Sequence, residues 1–484
     1  VRRFLAFDLG AESGRAVLGR LNGARLDISQ LARFQNTPLR IGRSLRWDVP
    51  AIVAGLEAGL RAAGDGRLDS VGVDAWGCDY GLVGAGGELI EPPYHYRDHR
   101  TDGVMARVFA RVGRDRIYET TGIQCLPFNT VYQLVAACES APETLAAAER
   151  LLTIPDLINR RLTGRAVNEF TSATTTQCVS VGTGTWAVDL LSELGVPLHL
   201  FGEIVQPGTV LGPLSSVEVP ALNGTPVVAP ACHDTGSAFA AVEAGGSTAF
   251  LSCGTWSLLG TEVPSPVVTP RSRDLDFTNE GGVAGTFRLL KNIAGLWLLQ
   301  ACRGVWQRDG TDWAYDDLVR AAREAPHGFR ALVDPDDPGF LNPDDMVSAI
   351  SAYASRTGQP VPAGPPGYTR AILESLALKY RIVLDWLEEV SGRSFTTIRL
   401  VGGGSRNALL NQFTANATGR PVLAGPVEAT ALGNIAVQMV STGAVGTLGE
   451  ARSIIDRSFP PERYEPEPSA AWDDALGRLR RYMA

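Results

Sequence analysis

Hydrophobic positions along the chain follow two periods. In "FLAFDLGAESGRAVLGRL" (4–21), an apolar run reaches Asp8, breaks at Gly-Ala-Glu-Ser-Gly-Arg, and resumes as apolar alternation. This predicts two strands joined by a turn, with Gly10 and Gly14 supplying the backbone freedom of a tight connection. In "WDVPAIVAGLEAGLRAAGDG", Ile52, Val53, Leu56 and Leu60 fall at helical spacing, with Asp48 as N-cap and Pro50 in the first turn. "GYTRAILESLALKYRIVLDWLEEVSG" places Ile372, Leu373, Leu376, Tyr380, Val383, Leu384 and Leu387 on a wide apolar stripe, predicting a long amphipathic helix. A Pro/Gly connector, 357–367, precedes it. "LDSVGVDAWGCDYGLVGAGGELI" reads as strand, polar loop and strand with a turn at Gly86-Gly87. "TIRLVGGGSRNALLNQFTANATGRPVLAG" reads as strand, glycine loop, helix and strand. The chain is α/β throughout.

The opening pattern has an echo. "STAFLSCGTWSLLGTEV" (247–263) is again an apolar run, a glycine turn with a hydroxyl residue, and a second apolar run. Gly10 and Gly254, and Gly19 and Gly260, punctuate the two stretches alike. A repeat separated by about half the chain predicts a duplicated domain, each half opening with a hairpin.

Bulk properties narrow the class. A chain of 484 residues is too long for one hydrophobic core, so two or three domains are expected. A formal net charge of -8 argues against a nucleic-acid or anionic-membrane partner. Without an apolar stretch long enough for a bilayer, and with an N-terminus that runs straight into a strand, a soluble cytoplasmic protein is expected. The seven cysteines are scattered singly with no CxxC pair, which favours reduced thiols. None of the five histidines has metal-binding spacing, so no transition metal is expected.

Four further segments carry candidate chemistry. In "TPVVAPACHDTGSAFAAVEAGG", a strand, 226–229, meets a helix start at His233-Asp234-Thr235. Asp234 is either an N-cap for the amides of Thr235 to Ser237 or an acid that orients a hydroxyl for attack on a phosphoryl group. The triple glycine of "VGGGSRNALLNQ" allows a close backbone approach, and neither a Rossmann nor a Walker-A pattern is present. "LLKNIAGLWLLQACRGVWQ" reads as a buried helix with Asn292 and Gln300 on one face, facing core partners or a ligand. In "VDAWGCDYGLV", Trp76, Gly77 and Asp79 combine a flat surface, open backbone and an acid, a sugar-binding mix or a core Trp with a capping Asp.

Together, "DLGAESGR", "WGCDYGLV", "YRDHRTDG", "GIQCLPFNT", "EFTSATTTQ", "HDTGSA", "SCGTWSLLG", "TNEGG", "LKNIAGLWLLQ", "VGGGSRNALLNQ" and "AGPVEATALGN" resemble, in matching order, the FGGY family of carbohydrate kinases. The resemblance implies two RNase H-like α/β domains of the actin/hexokinase/Hsp70 ATPase fold with an interdomain catalytic cleft. It divides the chain into a sugar-binding domain, 1–229, and a nucleotide-binding domain, 230–484.

Site residues follow from the same resemblance. The loop Ala11, Glu12, Ser13, Gly14 and Arg15 is similar to the family's phosphate-binding loop, with Asp8 beside the Mg2+-bound phosphates. Thr255, Gln300 and Gly403 match nucleotide contacts. Gly77, His233, Asp234, Thr235 and Asn292 match sugar contacts, Asp234 as proton acceptor. The implied reaction is transfer of the γ-phosphoryl of ATP, with Mg2+, to the 1-hydroxyl of a ketose, L-rhamnulose foremost. Phosphorylation of L-fuculose, L-xylulose or glycerol, and a non-catalytic sugar or ATP sensor on the same fold, stand as alternatives.

Overall fold

The N-terminal apolar run forms β1 (Arg2–Leu9) and returns antiparallel as β2 (Ser13–Asn22), followed by β3 (Arg25–Gln35). The computed structural model describes every residue except Asp65, Val217, Pro326, His327, Pro468 and Ala484. Its contacts divide the chain into two units built from interleaved segments. The first contains 1–243, 262–289 and 429–459; the second contains 244–261, 290–428 and 460–484. The chain passes between these units several times, at 243/244, 261/262, 289/290, 428/429 and 459/460.

The sheet of the first unit adds β4 (Ser70–Ala75), β5 (Val210–Pro213) and β6 (Pro226–Val228), in the order β5-β6-β4-β1-β2-β3. β4 runs parallel to β1, and β6 parallel to β4. Phe4, Leu5, Ala6 and Phe7 are buried consecutively in β1, as expected for a strand covered on both faces. The predicted helix Val49–Ala62 forms, with the Asp48 side chain accepting from the Ala51 amide at 3.0 Å. The helix Ala429–Ser441, distant in sequence, packs on β1 and β4.

In the second unit, the echo of the opening stretch forms a second hairpin, β7 (Thr248–Cys253) and β8 (Trp256–Val263). With β9 (Thr397–Val401), β10 (Val422–Ala424) and β11 (Glu462–Tyr464) the order is β8-β7-β9-β10-β11. β7 pairs in parallel with β9 as β1 does with β4. Each unit therefore builds its sheet from the same motif, a hairpin whose first strand takes a parallel neighbour. The long amphipathic helix spans Gly364–Ser391 and takes in the end of the expected connector. Pro365 and Pro366 fit there because first-turn amides have no intrahelical partner.

One reading is corrected. "LLKNIAGLWLLQ" is not a single helix: Asn292 lies on the strand Phe287–Ala294, and Gln300 on the helix Trp297–Arg308. A short strand and a buried helix start both present continuous apolar residues, so periodicity alone does not separate them. All seven cysteines are free. Among the described residues, no helix is long and apolar enough to cross a membrane.

Candidate functional site

The first hairpin places its acid between a cation and a second acid. Gly10 N–H donates to the Ser13 carbonyl at 3.1 Å, closing the loop, and Asn36 Nδ2 donates to the Gly10 carbonyl at 3.0 Å. Asp8 is the register partner of Arg15 on β2, and Arg15 Nε donates to Asp8 Oδ2 at 3.0 Å. On the other side, Asp8 is the register partner of Asp74 on β4. Glu12, at the loop tip, is exposed.

Asp74 was not among the sequence candidates. It is fully buried; its Oδ2 accepts from Asn434 Nδ2 at 2.6 Å, and its Oδ1 has no hydrogen-bond partner. Burial, then the neighbouring Asp8, hold its carboxyl well above the ordinary carboxylate range. Asn434 is braced by Gln438 one turn later, whose Nε2 donates to Asn434 Oδ1 at 2.7 Å and to the Leu5 carbonyl at 3.1 Å. An acid inside the apolar strand "SVGVDA" was the available signal, because buried strands rarely carry unpaired carboxylates.

Asp234 opens the helix Asp234–Ala241, and His233 rather than Asp234 takes the N-cap position. The capping alternative is therefore displaced by one residue. Asp234 Oδ1 accepts from the Thr235 amide at 2.5 Å and from Thr235 Oγ1 at 3.1 Å, and the side chain is 31% exposed. His233 Nε2 lies 3.4 Å from the same Oδ1. A Cβ built on Gly77 would stand 3.2 Å from His233 Nε2 and 3.0 Å from Thr175 Oγ1, so Gly77 keeps the space beside the imidazole open. Gly77, His233, Asp234 and Thr235 are thus brought together in the first unit.

A buried acid supports this corner from below. Glu169 Oε2 accepts from Thr171 Oγ1 at 2.6 Å and from the Cys232 amide at 3.0 Å, while Thr171 Oγ1 accepts from the His233 amide at 3.1 Å. Burial pushes Glu169 up to about 7. Alongside, Arg288 and Glu280 form a fully buried ion pair at 3.0 Å against His233. Neither was singled out from sequence, although a charge within the apolar "FRLLKNIA" marked Arg288 in the way Asp74 was marked.

Asp79 has a different role from the sugar contact considered for it. Its Oδ2 accepts from Trp47 Nε1 at 2.6 Å, Trp76 Nε1 at 3.0 Å and the Tyr96 amide at 3.1 Å, and Oδ1 accepts from Gln133 Nε2 at 3.1 Å. Four donors saturate the carboxylate, and burial pushes it up to about 6. Asp79 organises an aromatic cluster instead, with Trp47 4.2 Å from Trp76 and 4.3 Å from His95 between ring centroids.

In the second unit, three of the predicted nucleotide residues collect around the end of the β7–β8 hairpin. Gly254 N–H donates to the Trp256 carbonyl at 2.9 Å, the counterpart of Gly10 in the first hairpin. The amides of Leu296 and Trp297 donate to the Gly254 and Thr255 carbonyls, at 2.9 and 3.1 Å, which docks the helix carrying Gln300 against this loop. Gln300 Oε1 is buried without a hydrogen-bond partner. The triple glycine approaches from another side: a Cβ at Gly404 would meet Cys253 Sγ at 2.3 Å, and Gly402 has a φ of +84°. Gly403 has nothing within 4 Å of a built Cβ and is exposed. Two of the three glycines thus serve packing and turn, and one faces open space. Asn292 is half-buried on its strand in this unit.

Among the described residues, no group of three or more His, Cys, Asp or Glu side chains is arranged to hold a metal ion.

Comparison with known proteins finds the N-terminal domain of the FGGY family of carbohydrate kinases over residues 3–240 and the C-terminal domain over 249–442. A rhamnulokinase of Bacteroides thetaiotaomicron is 44% identical over 479 residues, covering 98% of each chain. One from Pectobacterium atrosepticum is 43% identical over 489 residues, covering 100% of this chain and 96% of its own. Among solved structures, a ligand-bound xylulose kinase from Lactobacillus acidophilus superposes with a TM-score of 0.80 at 18% identity, covering 100% of this chain and 96% of the other. A Plasmodium falciparum glycerol kinase with ADP gives a TM-score of 0.79 at 14% identity, with 100% and 97% covered.

Proposed function

The chain belongs to the FGGY family of carbohydrate kinases, and we propose that it transfers the γ-phosphoryl group of ATP to the 1-hydroxyl of L-rhamnulose, giving L-rhamnulose 1-phosphate. Rhamnulokinases at 44% and 43% identity over nearly their whole length support the choice of sugar. The observation that carries the reaction class is Asp234. It is a partly exposed carboxylate at a helix start, whereas Asp74, Asp79 and Glu169 are buried.

Thr235 occupies Oδ1 of Asp234 with two donors, which leaves Oδ2 for the sugar hydroxyl. Phosphoryl transfer passes through a loose transition state, so the nucleophile needs little charge early. A carboxylate is a weak base, suited to orienting the hydroxyl and accepting its proton late. His233 and the space beside Gly77 line the sugar side.

The loop Ala11 to Arg15, with Thr255, Gln300 and Gly403, is assigned to ATP. Asp8 fits Mg2+ by chemistry, because that ion takes one or two carboxylate oxygens and fills its shell with phosphate oxygens and water. Bound with ATP, Mg2+ would neutralise phosphate charge. Arg15, paired to Asp8, orients that carboxylate.

An ADP-release assay with L-rhamnulose, L-fuculose, L-xylulose and glycerol tests the reading. The highest kcat/KM is expected for L-rhamnulose. A preference of tenfold or more for another acceptor, roughly 1.4 kcal/mol, overturns the substrate assignment. ATP turnover indifferent to every sugar favours a sensor over a kinase.

A further inference from the structure

We infer that Arg288 is a positioning residue: it sets the tautomer of His233, so that the ring's single proton sits on Nε2, the atom facing Asp234. The guanidinium makes two hydrogen bonds and one ion pair. Nε donates to the Gly281 carbonyl at 2.8 Å, Nη1 pairs with Glu280 Oε2 at 3.0 Å, and Nη2 lies 3.2 Å from His233 Nδ1. Arginine has only donors, so Nδ1 of His233 must accept in that contact. A neutral imidazole that accepts at one nitrogen carries its proton on the other. Nε2–H is then the group on the Asp234 side of the ring, with 3.4 Å between Nε2 and Asp234 Oδ1. The carboxylate then has an N–H rather than a bare nitrogen on the side of Oδ1, beside the two donors from Thr235.

Glu280 makes the arrangement affordable inside the protein. Arg288 has no exposed surface, and an isolated buried cation would be very costly. Glu280 Oε2 balances that charge, and Arg288 in turn holds the carboxyl of Glu280 below its ordinary range against the opposing effect of burial. Glu280 Oε2 also lies 3.3 Å from His233 Nδ1. Nδ1 therefore sits between an obligate donor and an acceptor. Without Arg288, the carboxylate would draw the proton to Nδ1, leaving a bare nitrogen against Asp234.

The inference rests on Asp234 as proton acceptor, but its first readout needs no substrate. Nitrogen-15 NMR of the whole protein, with His233 assigned by its loss in His233→Asn, should show the Nε2–H tautomer at neutral pH. An Nδ1–H ring in the wild type overturns the proposal whatever the sugar is. Removing one partner of a buried pair strands the other, so the variant is the double Glu280→Met/Arg288→Met, since apolar replacement of both charges is often tolerated. Its ring should lose the Nε2–H preference, and kcat should fall by about tenfold or more with KM for ATP unchanged. Arg288→Lys keeps a donor and should retain both. A double variant with an unchanged tautomer, or with a shifted tautomer and full kcat, refutes the role.

Discussion

Asp8 and Asp74 are register partners across the parallel strands β1 and β4, so their side chains leave the same face of the sheet. Only Asp8 has a cation, Arg15, at 3.0 Å; Asp74 has the neutral amide of Asn434. Two adjacent carboxyl groups in low dielectric cannot both ionise cheaply. Burial and the adjacent Asp8 therefore favour the protonated form of Asp74.

Asp234→Asn preserves shape but removes the proton acceptor. Sugar phosphorylation should fall by about 10²–10⁴-fold, the usual contribution of general-base catalysis. Calorimetric titration with an ATP analogue should give an affinity within about twofold of wild type. Near-normal turnover would remove Asp234 from the role.

Gly77→Ala adds a methyl group 3.2 Å from His233 Nε2 and 3.0 Å from Thr175 Oγ1. Gly77 is not among the residues with positive φ, so the backbone accepts alanine. KM for the sugar should rise by about tenfold, roughly 1.4 kcal/mol, while KM for ATP stays constant. Equal effects on both substrates would indicate a general structural defect.

Gly403→Ala and Gly404→Ala should differ although the positions are adjacent. The first adds its methyl group to open space and should leave the melting temperature unchanged while weakening ATP binding. The second forces a Cβ to 2.3 Å from Cys253 Sγ, and overpacking of that kind costs about 1–3 kcal/mol. Differential scanning fluorimetry with and without ATP distinguishes them. Equal melting temperatures for the two variants would contradict the packing account.

Asp79 gives a pH signature of stability. Its folded value of about 6 lies above the roughly 3.9 of an unfolded chain. Between these values the folded state holds a proton that the unfolded state has released, so the contribution of Asp79 to stability declines as pH rises from about 4 to about 6 and is constant above. Asp79→Asn lacks this slope. In urea unfolding at pH 4 and pH 7, the advantage of wild type over the variant should shrink by roughly 2 kcal/mol towards the higher pH. Parallel stability profiles would show that Asp79 does not titrate in that window.

Much of the site was legible before folding because its elements are local. Asp8, Gly10 and the hairpin follow from alternation and a glycine turn within one short stretch, and the echo at 247–263 follows from the same pattern. His233-Asp234-Thr235 was visible as a strand meeting a helix start. The single-helix reading of Asn292 to Gln300 failed where an apolar run carried no period to separate strand from helix. The role of Asp79 stayed open in the sequence because its four donors come from Trp47, Trp76, Tyr96 and Gln133, and only Trp76 is a near neighbour in sequence.

The sequence by itself determined the alternating α/β elements, the duplicated hairpin, the family, and the acids and glycines that carry its motifs. Tertiary structure decided what each charged group faces. Arg288 meets His233 and Glu280, and Asn434 meets Asp74 across 360 positions of chain. Local pattern fixes φ/ψ preference and burial, which act over a few residues. The protonation state and direction of a buried side chain depend on charges and dipoles within a few ångströms, and only the folded chain brings those together.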